Sequence, residues 1–448
     1  MLRHEVIASI AYVRSLAAAK IVTGDEEEKL ISGLRDLLKR VESGKEVLDP
    51  MLEDVHMNVE VLLTELVGEA AKKVHTGRSR NEQIAVDERL YLRERVAECM
   101  DGLVALEYVL LGIAGRESGT LMPGFTHMQA AQPITLGFWA VSHASRLSRD
   151  FDRFVQAYGR MNSSPLGAGA FAGSTVPHDR GLMASLLGFD SCVMNALDAV
   201  MDRDYLADIC YACALTSIHL SNLCEDVILF ASPGYRFVRL GKATTTGSSM
   251  MPQKQNPDAF ELARGETGGA VASLIGLLTV LKSLPSGYNR DMQNDRTVSF
   301  GSIARFVSSL RVLSDALDEV EFDKERMRDL LDQGYMNATD LADYLVKKGM
   351  PFRDAYKRVA ALVEICRRKK MSLSRVDLLR HFPQVDSDVY RYISFEECVK
   401  RRSVDCGTAP GPVAAQAKAL EARIDSQEKA LEKVRKDIAT SESLLRGR

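Results

Sequence analysis

The chain has 448 residues, 46% of them hydrophobic and 27% charged, with a formal net charge of −3. That length suggests two or three domains with a large core. The near balance of charge argues against a nucleic-acid binder or a polybasic membrane protein, and the opening Arg3, His4 and Glu5 do not read as a secretory leader.

Taken in chain order, almost every long segment has helical period. Thr23 and Glu26 form a capping-box pattern, and Leu30, Leu34, Leu37, Leu38 and Val41 then share one face. Pro50 breaks the period within a loop over residues 46–54. HTGRSRNEQ at 75–83 offers guanidinium groups suited to bidentate contact with a carboxylate; Arg78 reads as the solvated turn residue and Arg80 as the better ligand. FTHMQAAQP at 125–133 holds His127 between Thr126 and Gln129. A helix with Phe138, Trp139, Leu147, Phe151 and Phe154 as its apolar body follows Pro133. The Gly-rich SSPLGAGAFAGSTVPHDR at 163–180 follows no strand, so it is not a dinucleotide fingerprint.

NALDAVMDRDY at 195–205 contains Arg203, which in isolation reads as an intrahelical ion pair, and opens a helix to about Phe230. Another helix starts after Pro257. Its apolar run 270–281 has about twelve residues, short of the roughly twenty that span a bilayer, and reads as buried core. LPSGYNRDMQNDR at 284–296 supplies Tyr288, Gln293 and Arg296. After about Arg326 the helices shorten, and the chain ends in a polar helix with Leu420, Ile424, Leu431, Val434 and Ile438 on one side, expected to pack on its parent domain. No strand run stands out. The expected fold is all-α, with an N-terminal helical domain at 1–76, a central long-helix bundle at 77–326 and a C-terminal helical domain at 327–448. The apolar stripes of such long helices need covering, which points to completion by other subunits.

The eight cysteines are scattered. Cys210 and Cys213 form a C-x-x-C within an apolar helix, without a second pair at zinc spacing, and read as two buried thiols of a reduced, cytoplasmic protein. No cluster implies a metal or cofactor.

The most informative stretch is TTTGSSMMPQKQNPD at 244–258. Gly247 reads as a hinge, while Pro252 and Pro257 keep helix from crossing the loop. A loop is left that presents Ser248 and Lys254 beside a helix N-terminus, where negative charge is favoured. A Ser near a cationic amine, among free backbone N–H groups, suits proton abstraction next to a carboxylate.

This loop resembles the GSSxMPxKxNP signature of the fumarase/aspartase superfamily. The segments at 75–83, 125–133, 163–180, 195–205, 284–296 and 338–356 are similar, in order, to those of the argininosuccinate lyase family. The resemblance implies a three-domain helical fold and a homotetramer whose sites mix segments from several subunits. It implies β-elimination of L-argininosuccinate to L-arginine and fumarate, the last step of arginine biosynthesis, without cofactor, nucleic acid or membrane. Ser248 matches the base, Lys254 the cation beside it, and His127 with Glu261 the acid side. Asn81, Thr126, Lys254 and Asn256 match positions that hold the fumarate portion; Tyr288, Gln293 and Arg296 match those that hold the other end. Ser79, Arg80, Gln129 and Arg203 fall beside them. Three departures stand out: the family's W-G-G-R-F segment, which covers the site, is not found before the first helix; Arg296 stands where Lys is frequent; and Gln255 replaces a second Lys. Two other readings share these residues: a superfamily lyase with another amine leaving group, such as adenylosuccinate, and a structural or regulatory homologue that has lost turnover, as in lens crystallins.

Overall fold

The computed structural model describes residues 1–247 and 249–446, and the architecture is helical, as expected. The chain opens with α1 (Leu2–Ala18), α2 (Gly24–Glu42) and α3 (Val55–Val67). The Thr23/Glu26 capping box at α2 forms with both hydrogen bonds in place. Two backbone N–H groups otherwise unpaired at the helix start thereby gain partners.

The 37-residue α4 (Arg80–Arg116) follows, capped by Ser79 in a second box with Glu82. Next come the hairpin β1 (Leu121–Thr126) and β2 (Gln129–Thr135), α5 (Leu136–Met161), the short α6 (Arg180–Leu186) and α7 (Ala196–Met201), then the long α8 (Asp204–Ala231), α9 (Asp258–Leu281) and α10 (Asn294–Asp318). The rest is α11 (Lys324–Gln333), α12 (Ala338–Lys347), α13 (Phe352–Lys369), α14 (Leu378–His381), α15 (Val389–Tyr392), α16 (Phe395–Arg401) and α17 (Pro410–Ser443).

Five long helices make the bundle. α5 runs antiparallel to α8, as successive contacts His143–Asp226, His219–Asp150 and Arg160–Asp208 show. α9 runs antiparallel to α8 through Arg264–Glu225, Thr267–Ser217 and Ser273–Cys210. α10 lies parallel to α4, with Tyr91 stacked on Phe300 and Glu98 facing Arg311. At 1.5 Å rise per residue, α8 alone separates the two ends of the bundle by roughly 40 Å.

The main core is built from these helices, and α17 returns to it: Ile424, Leu431 and Val434 pack there while Gln427 and Ser441 meet α4. The last third is therefore divided. Residues of α12 to α15 have a separate apolar cluster around Leu345, Leu362 and Val389, whereas α17 belongs to the bundle. A further cluster joins α1, α2 and α3 to the first turns of α4 through Val86 and Leu90.

Two expectations are corrected. Residues 121–135 form a hairpin, although Pro123 and Pro133 sit opposite each other in it and argue against strand. The run 270–281 is core on one face only: Ala270, Ser273 and Leu277 are buried, but Ile275 and Leu278 are more than half exposed. α8 is long and apolar enough to cross a membrane by length and composition, yet half of that window is buried inside the fold. Cys210 and Cys213 are buried on α8, and burial pushes the Cys210 thiol up to about 11.

Candidate active site

The candidate residues gather at opposite ends of the bundle. At one end, α4, α8 and α10 all begin, and Ser79, Arg80, Asn81, Arg203, Tyr288, Gln293 and Arg296 lie together there. Asn81 donates to the Ala170 carbonyl at 3.0 Å, and the backbone N–H of Gly167 donates to Glu82 at 2.7 Å, so the Gly-rich loop packs onto the HTGRSRN turn. Gly77 is required here. Its φ is +72°, and a Cβ would lie 2.5 Å from Ser174 Oγ.

The expectation for Arg78 is overturned. Arg78 is buried, not solvated: its Nη1 donates to Ser9 Oγ at 2.7 Å and lies 3.5 Å from Glu5. His56 Nδ1 is 2.9 Å from the same Glu5, and Gln83 donates to it at 3.1 Å. Burial works to raise the Glu5 pKa, but Arg78 and His56, with Ser9, outweigh it and hold that carboxyl at about 2. Neighbouring Asp87 stands farther from the same His56, with Oδ2 3.9 Å from its Nδ1. Burial and the Glu5 charge, opposed by Arg78, push it well above the ordinary range, and among the described residues neither of its oxygens has a hydrogen bond. Arg80 is the half-exposed residue, held at 3.0 Å by both Asp54 and Glu60. The Ser79 hydroxyl accepts from Asn81 N at 3.3 Å as the helix cap.

Arg203 does not pair within its helix. It is 1% exposed and bridges to Glu88 on α4 at 3.0 Å and Asp295 on α10 at 2.6 Å. Arg296 lies outside it, with Nε 3.4 Å from Glu88 and 3.5 Å from Asp295. Burial raises the Tyr288 hydroxyl pKa, opposed by the charges of Arg203 and Arg296. Sequence reasoning missed Glu88 and Asp295. The available signal was DER at 87–89, three consecutive charges inside an apolar helical pattern, all of them buried.

At the other end, where α8 finishes and α5 and α9 begin, lie Thr126, His127, Gln129, Lys254, Asn256 and Glu261. His127 and Met128 form the two-residue turn between β1 and β2, with φ of +53° and +60°. Both central positions of such a turn need positive φ, which ordinarily selects Asn-Gly. Holding His and Met there stores backbone strain and fixes the imidazole at an exposed tip. The hairpin is anchored by Phe125 against Tyr235, ring centroids 5.5 Å apart. The loop over 244–258 is pinned by the pairs Thr246–Asn256 and Gly247–Gln255, and Gly247 adopts extended backbone rather than a positive φ. Lys254 is exposed and has no ion pair among the described residues. Glu261 is exposed, 4.0 Å from Arg264, and no hydrogen bond or ion pair joins it to His127 among the described residues. Ser248, matched to the base, lies outside the described residues.

A long-helix bundle with Lys254, an exposed His127 and Glu261 at one end, and a cluster of arginines paired with buried carboxylates at the other, fits a fumarase/aspartase-type lyase. The match to known proteins agrees. Residues 1–271 fit the family described as "Lyase" and residues 335–400 the family described as "Argininosuccinate lyase C-terminal". The argininosuccinate lyase of Pelotomaculum thermopropionicum is 42% identical over 94% of this chain and 92% of its own length. That of Thioalkalivibrio sulfidiphilus is 44% identical over 94% and 91%. Among solved structures, an EDDS lyase in complex with formate superposes with a TM-score of 0.89 at 27% identity, covering 99% of this chain and 90% of that one. The chain belongs to the argininosuccinate lyase family, a family of carbon–nitrogen lyases.

Proposed function

We propose that the protein converts L-argininosuccinate to L-arginine and fumarate, in sites shared between copies of the chain as a homotetramer in the cytoplasm. The observation that carries the shared site is the separation of its parts. His127 and Lys254 are roughly 40 Å from Arg296 and Asn81 along α8, a distance no small substrate spans. Antiparallel association of two bundles brings the opposite ends together. The exposed apolar residues Tyr211, Ile218, Leu262, Ile275, Leu278 and Val312 lie on the outward faces of α8, α9 and α10, where such association would cover them.

In the assembled site Ser248 takes the proton from the carbon next to a substrate carboxylate, and the electron pair moves into the new C=C bond as the C–N bond breaks. Lys254, with Thr126, Asn81 and Asn256, stabilises the charge gathering on that carboxylate. His127, set by Glu261, acts on the acid side at the departing guanidino nitrogen. Arg296, Tyr288 and Gln293 hold the arginine end, with Arg80 and Gln129 at the margins. Proton and electron pair balance without an oxidant or a cofactor.

The test is to incubate the purified chain with argininosuccinate and, in parallel, adenylosuccinate, following fumarate absorbance. Fumarate from the first substrate alone is expected; fumarate from neither rejects the reading. Ser248→Ala should abolish kcat while substrate binding survives, and a near-normal kcat would remove Ser248 as the base.

A further inference from the structure

Behind Arg296 sits an acidic group for which the reaction as written has no use. Glu88, on the third turn of α4, is fully buried. One carboxylate oxygen, Oε2, lies 3.0 Å from Arg203 Nε and accepts from the Tyr205 hydroxyl at 3.2 Å. The other, Oε1, is 3.4 Å from Arg296 Nε and has no hydrogen bond among the described residues. Asp295 repeats the arrangement from α10, at 2.6 Å from Arg203 and 3.5 Å from Arg296. Two carboxyls and two guanidiniums are thus packed together. Arg203 faces protein only, whereas the Arg296 side chain is 32% exposed. Both carboxyls approach Arg296 at Nε, which leaves its terminal nitrogens for a ligand carboxylate.

We infer that Glu88 is a positioning residue for the substrate's amino-acid end: it braces Arg203 and Arg296 when ionised, and takes up a proton when a ligand carboxylate docks on Arg296. The identity of that ligand rests on the reaction proposed above. With every group ionised, the four charges sum to zero. A docking carboxylate adds one negative charge to a cluster of which Glu88, Asp295 and Arg203 are removed from water. Protonating the buried acid whose Oε1 lacks a hydrogen bond relieves that charge, because uncompensated charge in such a place is costly. The groups facing Glu88 are Arg203 and Tyr205 at the start of α8, Asp295 and Arg296 at the start of α10, and Asp87 on its own helix. Burial pushes Glu88 up to about 7, with Arg203 and Arg296 opposing the rise and Asp295 adding to it, so the proton is exchangeable near neutrality. Binding that requires a proton weakens as pH rises.

The experiment measures KM and kcat for argininosuccinate across pH in the wild-type tetramer and in Glu88→Gln, which keeps shape but cannot titrate. Wild-type KM should rise about fivefold from roughly pH 6 to roughly pH 8.5, a size set by one charge interacting across a few ångströms. Glu88→Gln should flatten that rise and keep kcat within about threefold. A variant with the wild-type KM–pH slope overturns the inference. A wild type that makes no fumarate instead overturns the reaction proposed above. Should Glu88→Gln fail to fold, calorimetry of arginine binding to the wild type, in buffers of differing ionisation heat near pH 7, reads the same proton. Fractional proton uptake supports the role, and zero uptake overturns it.

Discussion

Arg78 and Arg80, two residues apart, show what linear sequence conceals. HTGRSRN stood out as a candidate site segment, but which of its arginines is buried depends on Glu5, 73 positions from Arg78. Arg78→Met should cost about 3 kcal/mol or more, because it strips a buried carboxylate of its cation, whereas Arg80→Met should cost under about 1 kcal/mol. Thermal or urea unfolding of the two variants checks this, and equal losses would contradict the assignment. Glu5 also sets an acid limit. Its folded pKa of about 2 lies below the ordinary 4.5, so its ionised form stabilises the fold. That contribution is complete above the ordinary value and is lost as pH falls from about 4.5 toward about 2. Glu5→Gln should flatten the pH dependence of stability in that window.

At the scale of elements, the helices were legible because their apolar period and caps are local properties: Thr23 caps α2 in the structure as its spacing required. The β1–β2 hairpin was not legible. Its turn is His127-Met128 rather than Asn-Gly, and prolines occupy both strands, so every local cue opposes the strand that tertiary packing against Tyr235 and Phe237 imposes. The strain predicts a gain. Met128→Gly, which relieves a positive φ at an exposed side chain, should stabilise the protein by about 0.5–1 kcal/mol, read as a higher melting temperature. An unchanged or lower value would mean that Met128 is covered in the assembly. The same local blindness explains Glu88 and Asp295. Each was visible as an acid inside a helix, but their convergence on Arg203 comes only from the parallel packing of α4 and α10.

At the scale of the whole molecule, the residues proposed for the site lie at the two ends of the bundle, and exposed apolar faces run between them. On the proposed reading one chain supplies two half-sites, and activity requires copies. Subunit mixing tests this most directly. An Asn81→Leu protein, defective at one end, and a His127→Asn protein, defective at the other, are each expected to be nearly inactive. Dissociated, combined in equal amounts and reassembled, they should recover roughly a quarter of wild-type activity, since each half of a site then has an even chance of coming from an intact copy. Recovery no greater than either variant alone, with assembly confirmed by light scattering, would contradict the account.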